Sequence, residues 1–171
     1  MNRRLSSIFL LLLATSLMTG CGERLPDGMP RLYPASITVT QEGTPLAEAV
    51  VQLVSEDPAN ASWGAGGTTN ESGIAVLRTN GKYNGAPLGT YKVTVSKMEQ
   101  DPHPNPELKG GGEDEVRRYL AVARTLRTYR LIEPQYSSLN DTPLRVEIIP
   151  NERTYAIDAG KKIRVVVRLM Q

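Results

Sequence analysis

The sequence predicts an all-β domain: a seven-stranded antiparallel β-sandwich with a short helical insertion near 113–131, preceded by an N-terminal signal helix. Three observations predict it. Short segments alternate apolar and polar residues with a period of two, as a half-buried strand requires. Turn residues recur at a spacing of roughly 8–12 residues, which suits a sandwich. One stretch alone, EDEVRRYLAVARTLRTYRLI, places apolar residues three and four apart.

The chain opens with Arg3 and Arg4, then the apolar run IFLLLLATSLM. That run has the length of an export signal and is too short and wrongly flanked for a membrane span. Thr19 and Gly20 stand before Cys21. This resembles the lipobox read by lipoprotein signal peptidase, although Met18 occupies the usual leucine position and Leu17 lies one step earlier. The resemblance implies cleavage after residue 20, lipid attachment at Cys21, and a bacterial envelope protein held by that lipid. Gly22 after the cysteine implies the outer membrane. Cys21 is the only cysteine, so no internal disulfide can form and an anchor accounts for it better.

Without residues 1–20, 151 residues remain, enough for one domain with a sizeable core. Lys plus Arg falls from 20 to 18 once Arg3 and Arg4 go, against 18 Asp plus Glu. A neutral mature chain gives no reason to expect a nucleic-acid partner.

Residues 21–35 are rich in Pro and Gly and read as a flexible tether. The sandwich then occupies 36–171. ITVTQ (37–41) is the first strand. EGTPLAEA is a turn, with Gly43 at its tight point and Pro45 blocking further pairing. AVVQLVS is the second strand, with Val51 and Leu53 on one face. DPANASWGAGG reads as a loop carrying Trp63. Asn70 to Gly73 is a turn in which Gly73 takes positive φ, followed by the strand IAVL. NGKYNGAPLGTY is a turn-rich link. TYKVTVSK is the clearest strand, with Tyr91, Val93 and Val95 facing one way.

Residues 98–132 read as an insertion. DPHPNPELKGGG is a loop, and the helix that follows places Val116, Tyr119, Leu120, Ala123 and Leu126 on one face. Glu113, Asp114 and Glu115 open that helix and arginines end it, which suits its dipole. Arg124, Arg127 and Arg130 would share one slowly drifting helical face. The strands LRVEIIP, RTYAIDA and KKIRVVVRLM close the chain, the last with Ile163, Val165, Val167 and Leu169 alternating against Arg164, Val166 and Arg168.

Three segments together resemble the carboxypeptidase regulatory-like domain, a transthyretin-like β-sandwich. They are GTPLAEAVV (43–51), TNESGIA (69–75) and LGTYKVTVSK (88–97). The order of lipobox, Tyr33-Pro34-Ala35-Ser36, these motifs and Pro134-Gln135-Tyr136-Ser137 is also similar to small envelope lipoproteins of planctomycetes and related bacteria. The departures are Asn70 for Asp, Glu48 for a glycine before Ala49, and Ala75 for an aromatic. The resemblance implies turns and core, and no chemistry.

A search for chemistry returns little. His103, the only histidine, lies between prolines with no nucleophile elbow in the chain. One histidine and one acylated cysteine do not make the usual zinc or iron ligand sets. Glu113, Asp114 and Glu115 are adjacent and fan around a helix. Asp57, Asn70 and Glu71 lie near turns but form no calcium loop. Trp63 with Tyr83 is the candidate ligand contact, a stacking platform for a sugar, against the plainer reading of Trp63 as an anchor folding its loop. The expectation is therefore a non-enzyme with no cofactor and no metal. Its partners would be the membrane, through the lipid on Cys21, and an envelope protein or polysaccharide.

Overall fold

The computed structural model describes residues 25–102, 112–123 and 126–167. The expected export signal (residues 1–20), Cys21, His103, Arg124 and the closing residues Arg168 and Leu169 lie outside them.

The first strand, β1 (Ser36–Gln41), buries Ile37, Val39 and Gln41 on one face, as its period of two requires. It turns through Glu42 (φ 51°) and Gly43 (φ 76°) into β2 (Thr44–Pro45). Two consecutive positive-φ residues are the mark of a tight two-residue hairpin. Pro45 pairs with Thr40 as the last residue of that two-residue strand, and the ladder goes no further. β3 (Val50–Ser55) buries Val51 and Leu53.

The stretch expected to be a loop around Trp63 contains a single 3-10 turn (Pro58–Asn60) and then a strand, β4 (Ala65–Thr68). Its two glycines hid it from a reading based on strand propensity. A Cβ on Gly67 would collide with the carbonyl oxygen of Val76 across the layers. Glycine is therefore a requirement of close approach.

After β4 come β5 (Ile74–Val76), β6 (Arg78–Thr79), β7 (Tyr83–Asn84), β8 (Gly89–Ser96) and β9 (Met98–Gln100). The insertion differs from its expected form. Helix α1 spans Glu113–Ala123, and residues 128–130 form a strand, β10 (Thr128–Arg130), rather than the end of that helix. Thr128 is β-branched and Tyr129 aromatic, and strands on both sides supply backbone partners. Arg127 and Arg130 accordingly lie off the helix, so the expected arginine face does not form. Val116 and Leu120 on α1 are solvent-exposed. A short helix, α2 (Pro134–Ser137), precedes β11 (Arg145–Ile148), β12 (Thr154–Asp158) and β13 (Val165–Val167).

Where about seven antiparallel strands are expected, the described residues form thirteen segments in three sheets. The largest runs β11-β8-β3-β4-β6-β7. The second places β12 on one side of β1 and both β2 and β5 on the other. The third is β13-β10-β9. All strand pairs are antiparallel except β1 with β12, which run parallel from Ser36↔Thr154 to Thr40↔Asp158. The inward residues of the two larger sheets make one core, in which Ile37, Val39, Val51, Leu53, Tyr91 and Val93 are essentially inaccessible. This is an all-β fold of mainly antiparallel sheets, consistent with a sandwich.

Two polar devices lock the loops between layers. Buried Thr69 donates its hydroxyl to Leu46 O at 2.6 Å and accepts from Ala49 N at 2.8 Å. Asn70 Oδ1 accepts from Ser72 N and Ile74 N, both at 3.0 Å, closing the turn at Gly73. Glu48, exposed at φ 55°, holds a left-handed conformation that favours glycine.

Glu48→Gly is expected to raise stability by about 0.5–1 kcal/mol, relief of a left-handed side chain outweighing added chain entropy. Chemical denaturation of the two proteins checks this. Thr69→Val is expected to cost about 1–3 kcal/mol in the same assay, since Ala49 N and Leu46 O lose a buried partner.

Candidate functional site

β1 defines two ends of the domain. At its start, Ser36 N donates to Arg153 O at 2.8 Å, and Tyr33 pairs with Ala86. The chain therefore enters the folded domain here. At its far end, about 17 Å away at roughly 3.3 Å per residue, the buried Gln41 amide donates to Leu131 O (3.0 Å) and Lys161 O (3.1 Å). One side chain thus fastens the small β13-β10-β9 sheet to the tip of the first strand.

Between that small sheet and the β1–β2 hairpin lies a groove of about 800 Å³. Glu42 and Glu48 stand among its lining residues on the hairpin side, and Lys162 and Arg164 on the small-sheet side. Lys97 donates to Ala47 O at 2.8 Å and ties the two sides at the groove's edge. The Arg164 guanidinium stacks 3.7 Å over the ring of Tyr129, and its Nε lies 3.8 Å from Glu99 Oε2. Both ion-pair partners are about half exposed, so the pair adds little stability and mainly fixes the arginine's direction. Such a groove offers opposite charges with apolar Met98, Leu131 and Ile163 between them. It can hold a chain by charge and backbone contacts.

A shallower groove of about 480 Å³ crosses the outer face of β3 and β4, floored by Gly64, Gly66 and Gly67 and flanked by Val50 and Val54.

The aromatic candidates stand elsewhere. Trp63 is half-buried in the segment that follows the far end of β3, and its backbone N–H donates to Asn60 O at 2.9 Å. Tyr83 is half-buried on β7, with Lys82 Nζ 4.9 Å from its ring centroid. Register connects them, since Ala65 pairs with Thr79 and Thr79 with Tyr83. Both sit toward the end at which β1 starts, and neither lines either groove.

The other candidates are absorbed by local structure. Asp57 Oδ1 accepts from Ala59 N at 2.9 Å, capping its 3-10 turn, while Asn70 is used by its own turn. Arg118 Nε on α1 donates to Asp114 O at 3.3 Å. Among the described residues, no three His, Cys, Asp or Glu side chains gather where they could hold a metal. No helix among them is long and apolar enough to cross a membrane.

Sequence reading passed over Gln41 and the small sheet. A signal for Gln41 was present, because it shares the parity of Ile37 and Val39 and so had to point inward. Nothing in the sequence announces that β9 and β13 share β10 as their neighbour, since they lie far apart along the chain.

Among the described residues, Tyr91 is the side chain with a strongly displaced pKa, pushed up to about 12 by burial and, secondarily, by the carboxylate of Asp57. Its hydroxyl donates to Pro87 O at 2.8 Å. This is packing chemistry.

The described residues form an all-β domain of mainly antiparallel sheets whose surface carries these two grooves. No protein-family model, no curated protein and no solved structure matches the chain.

Tyr91 bears a raised pKa in the folded state, so its stabilisation is complete below about pH 10 and declines as pH rises through about 12. Tyr91→Phe is expected to cost about 1 kcal/mol at neutral pH through the lost hydrogen bond. It should also flatten the loss of stability across that alkaline window. Denaturation series at stepped pH on both proteins check this.

Proposed function

We propose that the protein is a non-enzymatic, lipid-anchored envelope lipoprotein. A transthyretin-like sandwich of the carboxypeptidase regulatory-like type would serve as a structural or interaction module at the outer membrane. The observation that carries this reading is the two-ended layout. The tether region joins at Tyr33 and Ser36, while the groove and the small sheet stand at the opposite end of β1. A domain held by Cys21 would present that opposite end away from the bilayer, where a partner can reach it. The three motifs quoted from the sequence fall on turns and strands, in keeping with an architectural role.

The carbohydrate reading through Trp63 and Tyr83 is weaker, because both rings lie toward the tether end and outside both grooves. An anchored domain would turn them toward the membrane.

Cys21→Ala, or globomycin applied to cells, is expected to leave an unprocessed precursor and to abolish detergent-phase partitioning of the mature form. Unchanged processing and partitioning would overturn the anchor. Trp63→Ala is expected to leave retention on envelope polysaccharides unchanged in a pull-down; loss of retention would restore the sugar-binding reading.

A further inference from the structure

We propose that the end of the domain at which β1 starts rests on the bilayer that holds the chain, with Tyr33, Trp63 and Tyr83 seated among the lipid headgroups. The three rings come from separate parts of the sequence and meet at that one end. Tyr33 exchanges both backbone hydrogen bonds with Ala86, at 2.9 and 3.0 Å. Tyr83 lies just before that bridge and pairs with Thr79. Asn80 N donates to Gly64 O at 2.8 Å, which sets the turn leading into β7 against the residue after Trp63. Each ring is half-buried, so part of it stays at the surface. Ile149, 39% exposed, stands at the same end, directly after the β11 residue that pairs with Gly89.

Two of the rings carry a cation. The Arg31 guanidinium lies 5.2 Å from the ring centroid of Tyr33, and Lys82 Nζ 4.9 Å from that of Tyr83. Both cations are on exposed residues. An aromatic body beside a long basic side chain suits a membrane–water interface, because the ring takes the headgroup level while the cation reaches a phosphate. The acids nearby are partly spent. Asp57 caps its own turn, and Glu56 holds Arg145 at 2.9 Å. That leaves Asp27 and Glu152 against Arg31, Lys82 and Arg153 in the loops at this end. The balance is weakly cationic and matches a surface containing anionic phospholipid.

The chain delivers this end to the bilayer. Leu25, 43% exposed, follows Cys21 by four residues, which at roughly 3.5 Å per residue keeps it within about 14 Å of that cysteine. A few half-buried rings make a weak contact alone, and an anchor so close supplies the local concentration that lets it persist. The domain then stands on the start of β1, and the groove beside Gln41 is held outward instead of sweeping with the tether. The inference rests on the anchored-module reading.

Trp63 is the only tryptophan, so its emission reports the contact. Full-length protein purified from membranes is reconstituted into vesicles of phosphatidylcholine and phosphatidylglycerol, with bromine on the phosphatidylcholine acyl chains. Bromine quenches an indole only at close range. Trp63 is expected to lose roughly a third or more of its emission relative to unbrominated vesicles. In a Trp63→Phe, Thr44→Trp chain the reporter sits on β2 at the opposite end, and it is expected to stay unquenched. Arg31→Glu with Lys82→Glu is expected to cut the quenching of Trp63 at least twofold, and raised salt should lower it as well. Mass spectrometry of the N-terminal peptide reports acylation of Cys21 separately. Protein found unacylated is coupled through that cysteine to a maleimide-headgroup lipid and measured in the same way. Unquenched Trp63, equal quenching at both ends, quenching indifferent to the charge reversals and to salt, or a Trp63 emission that shifts with envelope polysaccharide and not with vesicles would each overturn the bilayer contact.

Discussion

The parallel pairing of β1 with β12 is the constraint on which the rest of the structure depends. It joins Ser36–Thr40 to Thr154–Asp158, segments from opposite ends of the folded chain. Closing so long a loop costs entropy that local contacts cannot offset. The return comes from the core, because β1 lies inside its sheet. With β12 on one side and β5 and β2 on the other, Ile37 and Val39 are sealed from solvent. Thr40 reinforces the seam by donating its hydroxyl to Asp158 Oδ2 at 3.0 Å.

Because β1 is fixed in the middle, both its ends become landmarks. Its start receives the chain from Tyr33, and its tip carries Gln41, whose amide reaches the carbonyls of Leu131 and Lys161, which flank the strands of the small sheet. A buried amide with two such partners is specific, since losing either leaves an unsatisfied polar group. The mixed-charge groove exists because this link holds the small sheet close to the hairpin without filling the space between them.

Several residues show how far the sequence could be read. Tyr91, Val93 and Val95 were legible as an inward row, and all three are buried. Asn70 and Gly73 were legible as a turn, and the Asn70 side chain closes it. Glu48 stands where the resemblance has glycine, and its φ of 55° shows what the glycine supplies. Ala75, noted in place of an aromatic, is fully buried, and a neighbouring strand comes close enough to exclude any side chain at Gly67. Other segments misled. The three-and-four spacing from Val116 onward ran past Ala123 into residues that pair as a strand, and Val116 and Leu120 face solvent. Amphipathic spacing records which residues share a face. It does not record what covers that face.

By itself the sequence determined the all-β character, the main strands and the tight turns, because these follow from side-chain alternation and from residues with special backbone freedom. The tertiary structure alone decided three matters: that the first strand pairs in parallel with a strand near the end of the chain, that two glycines form a strand, and that a groove opens at the far end of β1. Each depends on segments distant in sequence coming within hydrogen-bonding reach, and local pattern carries no record of which distant edges will meet.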